Sequence, residues 1–369
     1  MNGRSHELLV SRFLDWTLVQ QRLARHTNIG RCFPEKELRR WSSKPPYYCH
    51  YLAWRLGTWK HESWFAFFDC LIAESTRIAG WDSETRLNSG GFDDFFGSLW
   101  ELQVAVSFSR LPDVDVRWLS SGPDIHVTRA GQDLLVECYT YRKSFGIELF
   151  LEELLQQVSP AIRVYHMPST RFGLPRGSAG VVDGFLDELF APFLDIAWLR
   201  AKCNEAQKEY PVLLPIPNGT SNLWIYIDGE PRAGSRYVPG RVPNKSGDTG
   251  DLLCLAIGEA IKNKANSNSM EISRPNLLMA NFLLGGDFEK ALKEHLSLPH
   301  EPISEIHRDN NIDAMIACTC GIDELPVWKS AWTVYGKTDW IWNLANRNKK
   351  IEYQHGDEPH DFDYANRLS

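Results

Sequence analysis

The sequence predicts an α/β protein of the α+β kind: a mixed sheet flanked by helices, with an N-terminal helical region and a long insertion. Three observations carry the prediction. Apolar residues recur at helical spacing through the first 92 positions, a strand–turn–strand pattern occupies 123–141, and helix and strand signals alternate again after residue 250.

The N-terminal region, 1–92, is read from Leu8, Leu9, Phe13, Leu14, Trp16, Leu18 and Val19, and later from Trp64, Phe67, Phe68, Leu71 and Ile72. Between them stand Trp41, Tyr47, Tyr48, Tyr51, Trp54 and Trp59, aromatics expected to fill a core, with base stacking the alternative use. Asn88-Ser89-Gly90-Gly91 breaks the pattern. A helix follows over 94–111, then strands over 114–119, 123–129 and 133–141, then a helix over 147–158. The Pro/Gly-rich stretch 159–249 is an insertion holding a helical piece over 182–207 and a strand over 223–228. Regularity resumes with a helix over 252–266, a strand over 275–284, a helix over 288–296, a strand over 312–318 and one or two strands over 332–344. The domain plan is therefore a core formed by 93–158 and 250–345, with a polar tail over 346–369.

Composition narrows the function. The chain has 369 residues, 43% of them hydrophobic and 24% charged, enough for a sizeable core. Its 40 basic residues face 47 acidic ones, a net charge of −7, which excludes a polybasic nucleic-acid coat or membrane-surface protein but not an enzyme with a local basic groove. Eight cysteines without a CxxC pair fit neither a zinc ribbon nor a disulfide framework, and Cys318 and Cys320 read as two thiols on one strand. Glu7 and Asp15 interrupt the first 18 residues, so no signal-peptide core is present, and no apolar run nears the ~20 residues of a membrane span. A cytoplasmic protein is expected.

The chemistry concentrates in one hairpin. If Ala130-Gly131 is a two-residue turn, Arg129 pairs with Gln132 and Asp124 falls opposite Glu137. Opposed side chains in such a ladder have Cβ atoms ~5 Å apart, and like charges there repel. Ile125, Val127, Leu134, Val136 and Cys138 form one apolar face, whereas Asp124, His126, Glu137 and Tyr139 share the other. Two carboxylates so placed require a proton or a cation between them, and Mg²⁺ or Mn²⁺ suits hard oxygen ligands. The plainer alternative is an exposed hairpin with two solvated acids. A third carboxylate, Glu101, lies in a helix apolar nearly all round, where an unpaired acid is costly. It is either capped by an arginine or turned toward the hairpin's acids.

The order of helix with Glu101, strand, Pro123-Asp124, hairpin, Glu137-Cys138-Tyr139 and helix resembles the αβββαβ core of the PD-(D/E)XK nuclease superfamily, the restriction-endonuclease-like fold. The resemblance covers 94–158 directly, and about half the chain if the helix at 252 and the strand at 276 supply the remaining elements. It implies that Asp124 and Glu137 bind the metal, with Glu101 in the helical acid position. It also implies a lysine two residues after the second acid, where this chain has Tyr139. Tyrosine carries no comparable positive charge at neutral pH. Lys143 shares its strand parity but lies ~13 Å further along, and Lys262 or Lys264 offers a replacement from a neighbouring helix.

The resulting expectation is a metal-dependent nuclease that hydrolyses phosphodiester bonds, with DNA ahead of RNA as substrate and bacterial defence as a setting. Arg142, Lys143, Arg163, Arg171 and Arg176 are the expected backbone contacts. The alternative is a pseudo-nuclease that kept the fold as a nucleic-acid-binding or assembly module; a protein partner or self-association fits either. Other motifs are weaker. Residues 331–338 imitate a P-loop, but Ala331 replaces the first glycine and Trp332, Val334 and Tyr335 favour a strand. The acidic and histidine-rich tail after His355 reads as a frayed terminus.

Overall fold

Alternation of buried residues on paired strands positions everything that matters for the site. The computed structural model describes residues 5–43, 49–58, 62–87, 92–120, 122–140, 163–166, 179–208, 212–215, 224–228, 257–264, 276–282, 312–318 and 331–336. The chain divides into two compact units, one of Met1–Glu62, Ser89–Phe95 and Lys143–Asn244, the other of Ser63–Asn88, Phe96–Arg142 and Lys245–Ser369.

The first unit begins with helices α1 (Ser5–Phe13), α2 (Trp16–Arg25), α3 (Thr27–Cys32), α4 (Glu35–Ser42) and α5 (Tyr51–Thr58). Asp15 caps α2, its Oδ1 accepting the N–H groups of Thr17 at 2.8 Å and Leu18 at 3.3 Å. Trp41, Tyr51 and Trp54 are buried, so these aromatics are core and not a base-stacking surface; Tyr47, Tyr48 and Trp59 lie outside the described residues. The expected helical piece over 182–207 is two helices, α9 (Ala179–Phe190) and α10 (Ile196–Lys208), parted by a short 3₁₀ turn at Ala191–Leu194. Pro192 lacks the N–H that would continue α9, and Asp195 caps α10 through Ala197 N–H at 2.9 Å and Trp198 N–H at 3.1 Å. Strands β4 (Arg163–His166), β5 (Val212–Pro215) and β6 (Trp224–Asp228) form an antiparallel sheet with β6 in the middle. Only β6 was legible in the sequence. The other two are four residues long and interrupted by proline or flanked by it within a few positions.

The second unit holds a six-stranded mixed sheet in the order β1-β2-β3-β7-β8-β9, with β1 Val114–Trp118, β2 Ile125–Arg129, β3 Gln132–Thr140, β7 Asn276–Asn281, β8 Ala314–Cys318 and β9 Ala331–Gly336. The first three strands form an antiparallel meander, β7 and β8 run parallel to β3, and β9 turns back. Helices α6 (Glu62–Ser75), α7 (Ser83–Arg86), α8 (Phe92–Ser109) and α11 (257–264) contribute to this unit. Ten of the fourteen residues of α8 from Phe95 to Phe108 are buried, as a largely apolar helix demands. The Trp100 indole N–H donates to the Met279 carbonyl at 3.0 Å, which ties α8 to β7. Residues 331–336 form a strand, as their β-branched and aromatic content predicts. The expected helices over 147–158 and 288–296 fall outside the described residues. Among those described, no helix is long and apolar enough to cross a membrane.

The hairpin has the expected register: Arg129 pairs with Gln132 and Ile125 with Val136. Ala130 and Gly131 have φ of +49° and +78°, so both central turn positions are left-handed, the twist that matches the flanking strands. Alanine fits this conformation poorly. Ala130→Asn is expected to raise stability by about 1 kcal/mol, read as a higher urea midpoint with an unchanged slope.

Candidate active site

The site grows from the point where the β2 ladder stops. Gly122 has φ +85° and Pro123 has no N–H, so β2 begins at Ile125 and not at the expected Pro123. Asp124 therefore lies one position beyond the last ladder pair. Its Oδ2 accepts the Cys138 N–H at 2.8 Å, and its own carbonyl accepts from Leu119 N–H at 3.0 Å. The Asp124 carboxylate thus bonds a central-strand amide just where the ladder ends, which fixes it beside Glu137.

The apolar face is as expected, with Ile125, Val127, Leu134, Val136 and Cys138 all buried. The other face is not solvent. Glu137 is only 4% exposed and Leu135 1%, so the two acids do not form an ordinary solvated hairpin. At the rim His126 Nε2 meets Asp133 Oδ1 at 2.8 Å.

Helix α11 covers the Glu137 face. Its buried residues Ile257, Ala260 and Ile261 continue at helical spacing to Lys264, so the lysine shares the inward stripe while Lys262 is exposed. Lys264 Nζ donates to Glu137 Oε1 across 127 positions of sequence, and Asn263 Nδ2 donates to the Tyr139 hydroxyl at 3.2 Å. Of the lysines the sequence offered, Lys264 reaches the acids; Lys143 lies outside the described residues, as do Arg142, Arg171 and Arg176. Arg163 stands on β4, in the other unit.

The three acids act on one another electrically. Burial, followed by the charge of Asp124, lifts Glu101 to about 8. Burial and then Asp124 likewise lift Glu137 to about 7, against the pull of Lys264. Burial raises Asp124 as well, opposed by Lys264, by the Cys138 N–H and by Arg86. For Lys264 burial works against the ammonium, but the charges of Glu137 and Asp124 outweigh it and hold the group above its ordinary value. Cys138, buried and beside the acids, is pushed far up and stays a neutral thiol.

Arg86 was not legible in the sequence. It ends the four-residue helix α7, and its charge is felt at both Glu101 and Asp124. Nothing in its local pattern marks it, because tertiary packing alone brings it near the acids.

The donor set fits a hard divalent ion. The Glu137 Oε2 atom is buried and accepts no hydrogen bond among the described residues, and its neighbours are carboxylates held close against their repulsion. Among the described residues no group of three His, Cys, Asp or Glu is gathered tightly enough to cage a metal. Mg²⁺, which keeps several waters and takes one or two carboxylates, needs no such cage.

No protein-family model, curated protein or solved structure matches this chain.

Proposed function

We propose that the chain is a metal-dependent phosphodiesterase acting on DNA or RNA, with a restriction-endonuclease-like core in which Lys264 stands in for the lysine that Tyr139 displaces. The single observation that carries this reading is the Lys264 ammonium seated on Glu137, next to Asp124 and Glu101. The element order supports it too. Helix α8, the meander β1-β2-β3, then α11 and the parallel strand β7 follow the αβββαβ sequence of that superfamily.

Asp124 and Glu137 would hold Mg²⁺ or Mn²⁺, with Glu101 behind them. Such an ion supplies Lewis-acid polarisation of a phosphoryl oxygen and a more acidic bound water. Lys264 remains an ammonium throughout the neutral range, so it serves as a fixed positive charge and not as a base. Glu101, at about 8, can exchange a proton near neutral pH. The Tyr139 hydroxyl accepts from Asn263 beside them.

The test is cleavage of mixed labelled DNA and RNA in Mg²⁺ or Mn²⁺. Asp124→Ala and Glu137→Ala are each expected to abolish cleavage, and Lys264→Ala to lower kcat by about 10²–10³ with little change in KM. Asp133→Ala, an exposed acid of the same hairpin, should leave the rate intact. A second reading is favoured by one observation: Lys264 already neutralises Glu137, and Tyr139 supplies no charge, as in a module that binds without cutting. Salt-dependent binding with no cleavage in any divalent metal would establish that reading instead.

A further inference from the structure

The guanidinium carbon of Arg86 stands over the indole of Trp118, 4.5 Å from the ring centroid. This platform is braced from several sides. Trp81 meets Trp118 edge-on at 4.9 Å, the Trp118 backbone N–H donates to the Ala79 carbonyl at 2.7 Å, and Trp118 is 4% exposed. The Trp81 indole N–H donates to Ser83 Oγ at 2.7 Å, and Asp82 caps α7 through the N–H groups of Glu84 and Thr85. The backbone carrying Arg86 is thus fixed at both ends of its short helix, since the Arg86 N–H itself bonds the Asp82 carbonyl at 3.0 Å.

A guanidinium has five N–H donors, and a ring contact of this kind is not a conventional hydrogen bond that uses them up. Among the described residues none accepts a hydrogen bond from them. The acids act on Arg86 through charge alone. When all are ionised, the three carboxylates exceed Arg86 and Lys264 by one negative charge. A bound divalent ion turns that excess into one positive charge, which the single negative charge of a phosphodiester matches. Lys264 donates to Glu137, whereas Arg86 donates to none of the acids among the described residues.

Resting on the nuclease reading above, we infer that Arg86, laid on Trp118, is the residue that binds a phosphate of the nucleic-acid strand at this site. A bidentate guanidinium–phosphate pair explains why an arginine is held rigidly beside a cluster of acids without bonding any of them. Arg86 then contacts the substrate itself and does not act through Glu101.

Fluorescence anisotropy of a labelled oligonucleotide with the full chain tests this, in Ca²⁺ in place of Mg²⁺ and across a series of salt concentrations. Arg86→Gln is expected to weaken binding about tenfold and to reduce the slope of log K against log salt by about one unit. Arg86→Lys should keep the slope but lose several-fold in affinity, because it keeps the charge and loses the fork. Arg77→Gln, an exposed arginine of the same unit, is the control. An unchanged slope in Arg86→Gln overturns the inference, whether or not the cleavage rate falls, and so does a wild-type chain that binds no oligonucleotide. A wild type that binds with the expected slope, loses it in Arg86→Gln and never cleaves leaves Arg86 in its role and sinks the hydrolase reading alone.

Discussion

Stripped of divalent metal, the protein should melt at a lower temperature at pH 8 than at pH 5.5, and Mg²⁺ or Mn²⁺ should restore much of the difference. Glu101 and Glu137 rise from an ordinary 4.5 to about 8 and about 7, mainly through burial and then through Asp124. Between pH 4.5 and 8 the folded chain therefore holds more protons than the unfolded one, so unfolding free energy falls as pH rises. The stability these groups contribute is complete below the unfolded value and is lost as pH climbs through 7 and 8. A loss of a few kcal/mol corresponds to a drop of roughly 5–10 °C at about 2–4 °C per kcal/mol. A divalent ion needs the deprotonated carboxylates, so its stabilisation should be larger at pH 8 than at 5.5, amounting to about 2.7 kcal/mol at a hundred times its Kd. Scanning calorimetry at the two pH values, with and without metal, reads all four conditions. A melting temperature that rises with pH in the metal-free protein would contradict the burial of these acids.

Lys264→Met should be among the most destabilising single changes in the second unit at pH 8. It leaves Glu137, 5% exposed at its side chain, buried without its cation, a situation that costs about 3–5 kcal/mol. At pH 5.5 the carboxyl can take a proton instead, so the cost should shrink to about 1 kcal/mol. Glu137→Gln/Lys264→Met removes both charges and should recover most of the loss. The resulting coupling energy, at least 1–2 kcal/mol at pH 8, separates a true ion pair from independent packing losses. Equal costs at both pH values would show that the methylene stem of Lys264, and not its charge, matters.

The hairpin was readable because its determinants are local. A two-residue turn sets the pairing by arithmetic, and alternation then assigns Asp124 and Glu137 to one face and Val136 and Cys138 to the other. Glu101 was readable from its misfit, a carboxylate in a helix with no polar face. Lys264 was one of several choices until the burial of Ile257, Ala260 and Ile261 showed which stripe of α11 turns inward. Asp124 was placed in a ladder that actually ends one residue earlier, because Pro123 and the left-handed Gly122 are not felt by a parity rule. Arg86 left no trace, since the ring that carries it is 32 positions away in sequence on β1. What escaped was the set of contacts that only tertiary packing creates.

The separation between Glu137 and Lys264 bears on how the chain is born. On the ribosome the hairpin emerges more than a hundred residues before the ammonium that neutralises it, and strand β3 waits equally long for its parallel neighbour β7. Long-range pairing of this kind assembles late. An arrested or truncated translation product that stops before Lys264 would accordingly carry the three acids but neither this ammonium nor the finished sheet.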